Sequence, residues 1–337
     1  MNISQKIGRT LMIGFDAAYI HEKDFDKVKR YAEEGLIGGI ILFNKNFRTK
    51  ELKNIRNFNQ LQDLILNLKA NSCHDLLISI DQEGGLVNRL KSLDEFNDQK
   101  SQLSVFRDFD PQECYEYISK YAKIMADIGI NLNFSPVVDI HFAESKIIGY
   151  YERAFSEDVQ NIIKYAEKYI DAHHDHGIMA CLKHFPGHGS SYGDTHEGFV
   201  DASYRWHYDE MTSYKALKNK AKMVMMSHLF ISQIDDKNPA SLSKKWIDIL
   251  RNEIDFHGTI ISDDFDMYAI SKLYTQEGVF INAINAGIDI SLFGNNISYN
   301  IDLPLQYNGT ITNAISRGKI NEEKIHNSYS RIESLLK

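Results

Sequence analysis

The sequence predicts an α/β protein, a (β/α)8 TIM-like barrel in a single domain spanning 1–337, with a C-terminal covering helix. Three observations carry that prediction. Eight short apolar runs alternate with longer amphipathic stretches along the whole chain. The runs are continuously apolar, as parallel strands covered on both sides must be. Most of them end in polar residues, and in a barrel those ends converge on one mouth.

The predicted strands are 11–15, 37–43, 76–81, 132–136, 178–184, 223–228, 259–263 and 288–293. Helical patterns lie between them at 24–34, 49–69, 111–128, 157–175, 244–253 and 271–286. The tail, 321–336, reads as a terminal helix covering the barrel's outside. An open doubly wound sheet is the alternative. It would want a Gly-rich phosphate turn after an early strand, and none is present. Residues 295–309 are polar and read as the loop after the last strand.

Composition narrows the function classes. With 43% hydrophobic and 25% charged residues the chain is an ordinary globular protein. Its net charge of -8, without a basic block, argues against nucleic acid as a partner. No apolar run reaches membrane-spanning length, so no membrane partner is expected. Cys73, Cys114 and Cys181 are an odd set without a CxxC and suit a reducing compartment. The first residues lack a signal-peptide core, and a cytoplasmic location is the expectation.

The chemistry concentrates at strand ends. The fifth run opens into Lys183-His184-Phe185-Pro186-Gly187-His188-Gly189, followed after a spacer by Asp194-Thr195-His196. This loop has little of its own to bury and is expected to be mobile. Asp194 and His196, two apart, can form a carboxylate–imidazole pair. The third run gives Asp81-Gln82-Glu83-Gly84-Gly85, with Arg89 eight beyond Asp81, and the seventh gives Ser262-Asp263-Asp264-Phe265-Asp266. Asp264 or Asp266 also suits a helix cap. His173, His174 and His176 sit with Asp175 at a helix end, where the helix dipole accounts for them better than a metal does. His184, His188, His196 and Asp263 are a further conceivable zinc set.

The 183–196 motif resembles the signature of glycoside hydrolase family 3, and most closely its β-N-acetylglucosaminidase branch. The resemblance runs from about Gly8 to Asn295. It implies a retaining exo-β-N-acetylglucosaminidase that needs no cofactor or metal and acts on N-acetylglucosaminyl glycosides such as muropeptides in cell-wall recycling. On that resemblance Asp263 is the nucleophile, His196 the acid/base and Asp194 its partner. Asp81, Arg89, Arg153, Lys183 and His184 then bind the sugar. Arg153 rests on Tyr151-Glu152-Arg153-Ala154-Phe155-Ser156, the loosest match, and an internal ion pair is the alternative for each of the five.

The chemistry suits these residue types. Glycosidic cleavage passes through an oxocarbenium-like state that an ionised carboxylate stabilises and can trap. A histidine can both give and take a proton near neutrality. If the dyad only bound sugar, His184 or Glu83 would be the next candidate acid/base. Two positions depart from the family pattern: Leu86 stands where arginine is usual, and Ser190 where Asp or Asn is frequent. Alternatives remain. A phosphorylase or transglycosylase would share the intermediate and be told apart by products made with and without phosphate. A metal-dependent barrel hydrolase would be inhibited by a chelator. A non-catalytic sugar-binding protein would not need Asp263, Asp194 and His196 together.

Overall fold

A computed structural model describes residues 1–336. Eight parallel strands form the sheet: β1 (Leu11–Ile13), β2 (Gly39–Leu42), β3 (Leu77–Ile80), β4 (Leu132–Asn133), β5 (Met179–Phe185), β6 (Met223–Met226), β7 (Thr259–Ser262) and β8 (Ser291–Phe293). Their order is β8-β1-β2-β3-β4-β5-β6-β7. A parallel bridge from Ile261 to Ile290, with Ser262 N–H on Ile290 O at 3.0 Å, joins the two ends into a ring.

Side chains of alternate positions fill the ring. Met12, Ile41, Leu77, Leu132, Cys181, Met223, Met225, Ile261 and Leu292 form the inner cluster. The other faces of the strands pack against the helices in a second, larger cluster. The terminal helix Glu322–Leu335 does cover the barrel, at the end where the strands begin. Its Ile332 and Leu335 join the inner cluster. Two ion pairs tie it there, Arg9–Glu333 at 2.8 Å and Arg331–Asp289 at 3.0 Å. The mouth at the opposite end is left open to the loops. No described helix is long and apolar enough to cross a membrane.

Several predicted bounds change. The helix expected over 49–69 starts only at Phe58, capped by Asn57, whose side chain accepts from Gln60 N–H. The preceding residues form an irregular hairpin bridged at Lys45 and Leu52. The helix expected over 271–286 starts only at Gln276, capped by Thr275, and a separate short helix, Tyr268–Ser271, precedes it. The helix Lys244–Asp248 widens into a π-turn over Ile249–Glu253. The fourth strand keeps only Leu132–Asn133. The fifth runs one residue further than expected, to Phe185.

Candidate active site

Beyond β3 the chain folds back on itself, pairing Gln82–Gly84 with Val87–Asn88. Gly84 makes this possible at φ +94, where a Cβ would lie 2.1 Å from Lys100 O. Asn133 at the end of β4 clamps the turn, accepting Gln82 N–H at 3.0 Å and donating to Gln82 O at 2.9 Å. The result fixes Asp81 and Glu83 over the barrel mouth.

Lys183 and His184 come from the end of β5. The Lys183 ammonium reaches Asp81 at 2.7 Å and Glu83 at 2.6 Å. Arg153 grips Glu83 through Nε and Nη2 and also donates Nη2–H to His184 Nε2 at 2.9 Å. His184 in turn donates Nδ1–H to Asp139 at 2.8 Å. A guanidinium can only donate and a carboxylate accepts, so these partners set the tautomer. Burial, reinforced by Arg153 and Lys183, keeps this imidazole neutral, well below the usual histidine range.

The carboxylates respond oppositely. Burial alone would raise Asp81 and Glu83, but Lys183 with Arg89, and Arg153 with Lys183, hold them down to about 2. Burial works against the Lys183 charge too, and Asp81 and Glu83 outweigh it. Glu83 is thus held ionised and both His184 nitrogens are occupied, which leaves the two fallback acid/base candidates without a proton to exchange.

Asp263 follows β7 and is half-buried. Burial raises its carboxyl; the electrostatic pull of the neighbouring histidines, His228 foremost, and the N–H of Asp264 outweigh that and keep it below the usual range. Asp264 and Asp266 do not cap the next helix as expected. Asp264 Oδ1 accepts from Gly294 N at 2.8 Å, and Asp266 Oδ2 from Asn295 N at 2.8 Å, so both bind the β7 loop to the β8 loop.

The loop after β5 is better anchored than its composition suggests. His188 N–H donates to Asp139 at 2.9 Å, Gly189 N–H to Glu210 at 3.1 Å, and Trp206 Nε1–H to Pro186 O at 3.2 Å. Gly187 has φ +124, and a Cβ there would lie 2.4 Å from the Glu210 Cβ. The exposed part is the stretch carrying the dyad. There His196 Nδ1 meets Asp194 Oδ1 at 2.8 Å, which leaves Nε2 free, and Thr195 O accepts Ala269 N–H at 3.1 Å.

A cavity of about 420 Å³ gathers all eight residues singled out from the sequence: Asp81, Arg89, Arg153, Lys183, His184, Asp194, His196 and Asp263. The ion-pair alternative is present as well: Arg153 is paired with Glu83, and Lys183 with Asp81 and Glu83, while all of them line the cavity. Arg89 carries a buried Nε with no partner among the described residues. Ile147, Tyr151, Leu86 and Phe47 are among the other residues that line it, and Leu86 is exposed.

Sequence reasoning missed Asp139 and Phe47. Asp139 is fully buried, accepts from His184 and His188, and burial raises it to about 6 despite the pull of His188. Its only local signal is a carboxylate within the apolar stretch Val137-Val138-Asp139-Ile140. The helix-end histidines need another account too. His173 is buried, bonded to Tyr169 O and Asn133, and burial lowers it to about 4, so it is neutral and no partner of the helix dipole. Among the described residues no three or more His, Cys, Asp or Glu side chains gather as a metal-binding group.

Similarity to known proteins agrees with this geometry. A family model described as the glycosyl hydrolase family 3 N terminal domain matches residues 2–335. A beta-hexosaminidase of Haemophilus influenzae is 33% identical over 283 residues, covering 77% of this chain and 73% of the relative. One from Stenotrophomonas maltophilia is 33% identical over 297 residues, 84% of this chain and 82% of the relative. Among solved structures, a glycoside hydrolase family 3 beta-N-acetylglucosaminidase from Paenibacillus sp. superposes with a TM-score of 0.86 at 26% identity. It covers 99% of this chain, which spans 62% of that longer one. A beta-N-acetylhexosaminidase from Beutenbergia cavernae gives 0.85 at 23% identity, covering 99% and 98% of the two chains, a likeness of fold.

Proposed function

The chain belongs to glycoside hydrolase family 3, and from that premise we propose that it is a retaining exo-β-N-acetylglucosaminidase working through a covalent glycosyl-enzyme. The observation that carries the reading is the company Asp263 keeps: a carboxylate held ionised lines the same cavity as an imidazole with one nitrogen free. Both half-reactions need that pair.

The terminal sugar enters with its outer hydroxyls toward Asp81, Arg89, Arg153, Lys183 and His184. Arg89 Nε, buried and without a partner among the described residues, donates to one of them. Asp263 attacks the anomeric carbon as His196 Nε2–H protonates the glycosidic oxygen. The carbon–oxygen bond breaks and the aglycone leaves as an alcohol. The neutral His196 then takes a proton from water, which attacks the same carbon and frees Asp263. Two inversions give net retention. Asp194 accepts from Nδ1 throughout, so Nε2 faces the reacting oxygen and the imidazolium is stabilised when it forms.

The charged floor also bears on substrate length. Asp81, Glu83, Lys183 and Arg153 are paired and packed beneath the sugar, which favours removal of one terminal residue over cleavage within a chain. The substrate is a carbohydrate, and peptidoglycan-derived muropeptides are the class proposed for it. A single barrel domain over 1–337 and a cytoplasmic site of action complete the proposal. The three unpaired cysteines, two of them buried, are in keeping with a reducing compartment.

Inactivation with a 2-deoxy-2-fluoro glycoside, followed by mass spectrometry of the peptides, tests the central claim. The label is expected on the peptide containing Asp263 and absent from Asp263→Asn. Label on another residue would overturn the assignment.

A further inference from the structure

We propose that Phe47 is a positioning residue for His196, holding the imidazole in its reactive orientation during both half-reactions; this rests on His196 being the acid/base. Two aromatic planes carry the inference. The rings of Phe47 and His196 are stacked, with centroids 5.9 Å apart and planes 18° from parallel. Phe47 lines the cavity yet is 41% exposed, so burying apolar surface in the core does not account for its place.

The dyad needs an outside reference. Asp194 fixes the His196 tautomer, but Asp194 and His196 belong to one short loop and can shift together. Thr195 O is tied to Ala269 N–H, which fixes the backbone and leaves the ring to turn. Phe47 supplies a flat wall from a different barrel loop, the one after β2. That wall is itself well held. Asn46 Oδ1 accepts from Arg48 N at 2.9 Å and Thr49 N at 3.0 Å, closing a tight turn. Phe47 N–H donates to Asn296 Oδ1 at 3.1 Å, which ties the turn to the β8 loop. Lys50 Nζ donates to Phe47 O at 2.6 Å and lies 4.8 Å from the centre of its ring. A hydrocarbon face has no polar atom to compete for the Nε2 proton, so the stack orients the ring without engaging it.

An aromatic side chain at a cavity mouth could instead serve only as a platform for the leaving group. The second half-reaction separates the two roles, because the aglycone has by then departed. With a dinitrophenyl β-N-acetylglucosaminide, glycosylation needs no acid and kcat reads deglycosylation. Phe47→Ala is expected to lower that kcat about tenfold, the scale of a lost ring stack. Azide, which needs no base, should restore it. Phe47→Tyr should stay near wild type and Phe47→Leu fall between, with unchanged melting temperatures. An unchanged kcat in Phe47→Ala, with only a raised KM for a disaccharide, would overturn the proposal in favour of a leaving-group platform. His196→Ala is run beside them. If it slows deglycosylation while Phe47→Ala does not, the acid/base assignment stands and the positioning role fails. If His196→Ala leaves deglycosylation unchanged and azide has no effect, the acid/base assignment fails and the proposal with it.

Discussion

Arg153 meets Glu83 in a two-point contact, Nε to Oε2 and Nη2 to Oε1, each at 2.8 Å. Both side chains are almost entirely buried, so the pair is costly to break from one side only. Arg153→Met leaves the Glu83 charge with Lys183 alone and should lose about 3 kcal/mol of unfolding free energy. Adding Glu83→Gln removes the stranded charge and should recover part of that loss. Urea denaturation of the two single variants and the double variant measures the coupling. Strictly additive losses would mean that the contact contributes nothing beyond its separate parts.

Asp263→Asn should lower turnover by several powers of ten while leaving the circular dichroism spectrum and melting temperature intact, since the residue stands at the mouth and not in the core. Near-normal activity would pass the role of nucleophile to Asp264, although its Oδ1 already accepts from Gly294 and Asp266.

His196 should matter in proportion to how badly the leaving group needs a proton. His196→Ala is expected to reduce kcat/KM for a disaccharide by roughly 10²–10⁴ and glycosylation by a nitrophenyl glycoside far less. Asp194→Asn should show a weaker form of the same selectivity, because it disturbs the tautomer without removing the ring. The ratio of the two substrates' kcat/KM values across the three enzymes is the measurement. Equal losses on both substrates would reduce the loop to sugar binding.

Glu210 gives a pH-dependent stability. Burial raises its carboxyl from 4.5 to about 7, against the pull of Ser190. A folded-state value above the unfolded one means that the folded protein binds the extra proton. Its contribution is therefore fully present below about pH 4.5 and lost as pH rises through about 7, by about 3 kcal/mol in all. Glu210→Gln cannot ionise. Denaturation midpoints from pH 4 to 8 should show wild type losing stability relative to this variant across that window. Asp139, raised to about 6, acts with the same sign, and the buried His173, lowered to about 4, with the opposite sign. The difference between the two proteins, not the wild-type curve alone, is therefore the quantity to follow. A difference independent of pH would contradict the account.

Every proposed step uses a protein group or water. Activity should survive exhaustive chelation. Loss on chelation and recovery with zinc would favour the metal-dependent alternative.

Much of this was legible locally. A buried parallel strand shows as a continuous apolar run, and a polar residue ending it shows as well, which is why Asp81, Lys183, His184 and Asp263 could be read off directly. Failures came where the deciding partner is distant in sequence. Ile55 is fully buried and mimics the face of a helix, yet it belongs to the irregular segment before Asn57. Asp264 and Asp266 resemble caps until Gly294 and Asn295 are brought beside them. His173 looks like a charge at a helix end, and only Asn133 and Tyr169 reveal a neutral core group. Phe47 announces nothing in isolation and Asp139 no more than a carboxylate in an apolar stretch, because what matters about them is what other loops place against them.

The packed ionic floor beneath Asp81 and Lys183 has a kinetic consequence. With its inner end filled by Glu83, Lys183 and Arg153, the cavity gives a captured monosaccharide no rear exit. In the proposed mechanism the alcohol half of the substrate departs first, past the dyad, and the sugar follows through the same opening. Free N-acetylglucosamine should then rebind the resting enzyme and compete with incoming substrate, whereas the released alcohol should inhibit only by reversing the first half of the cycle.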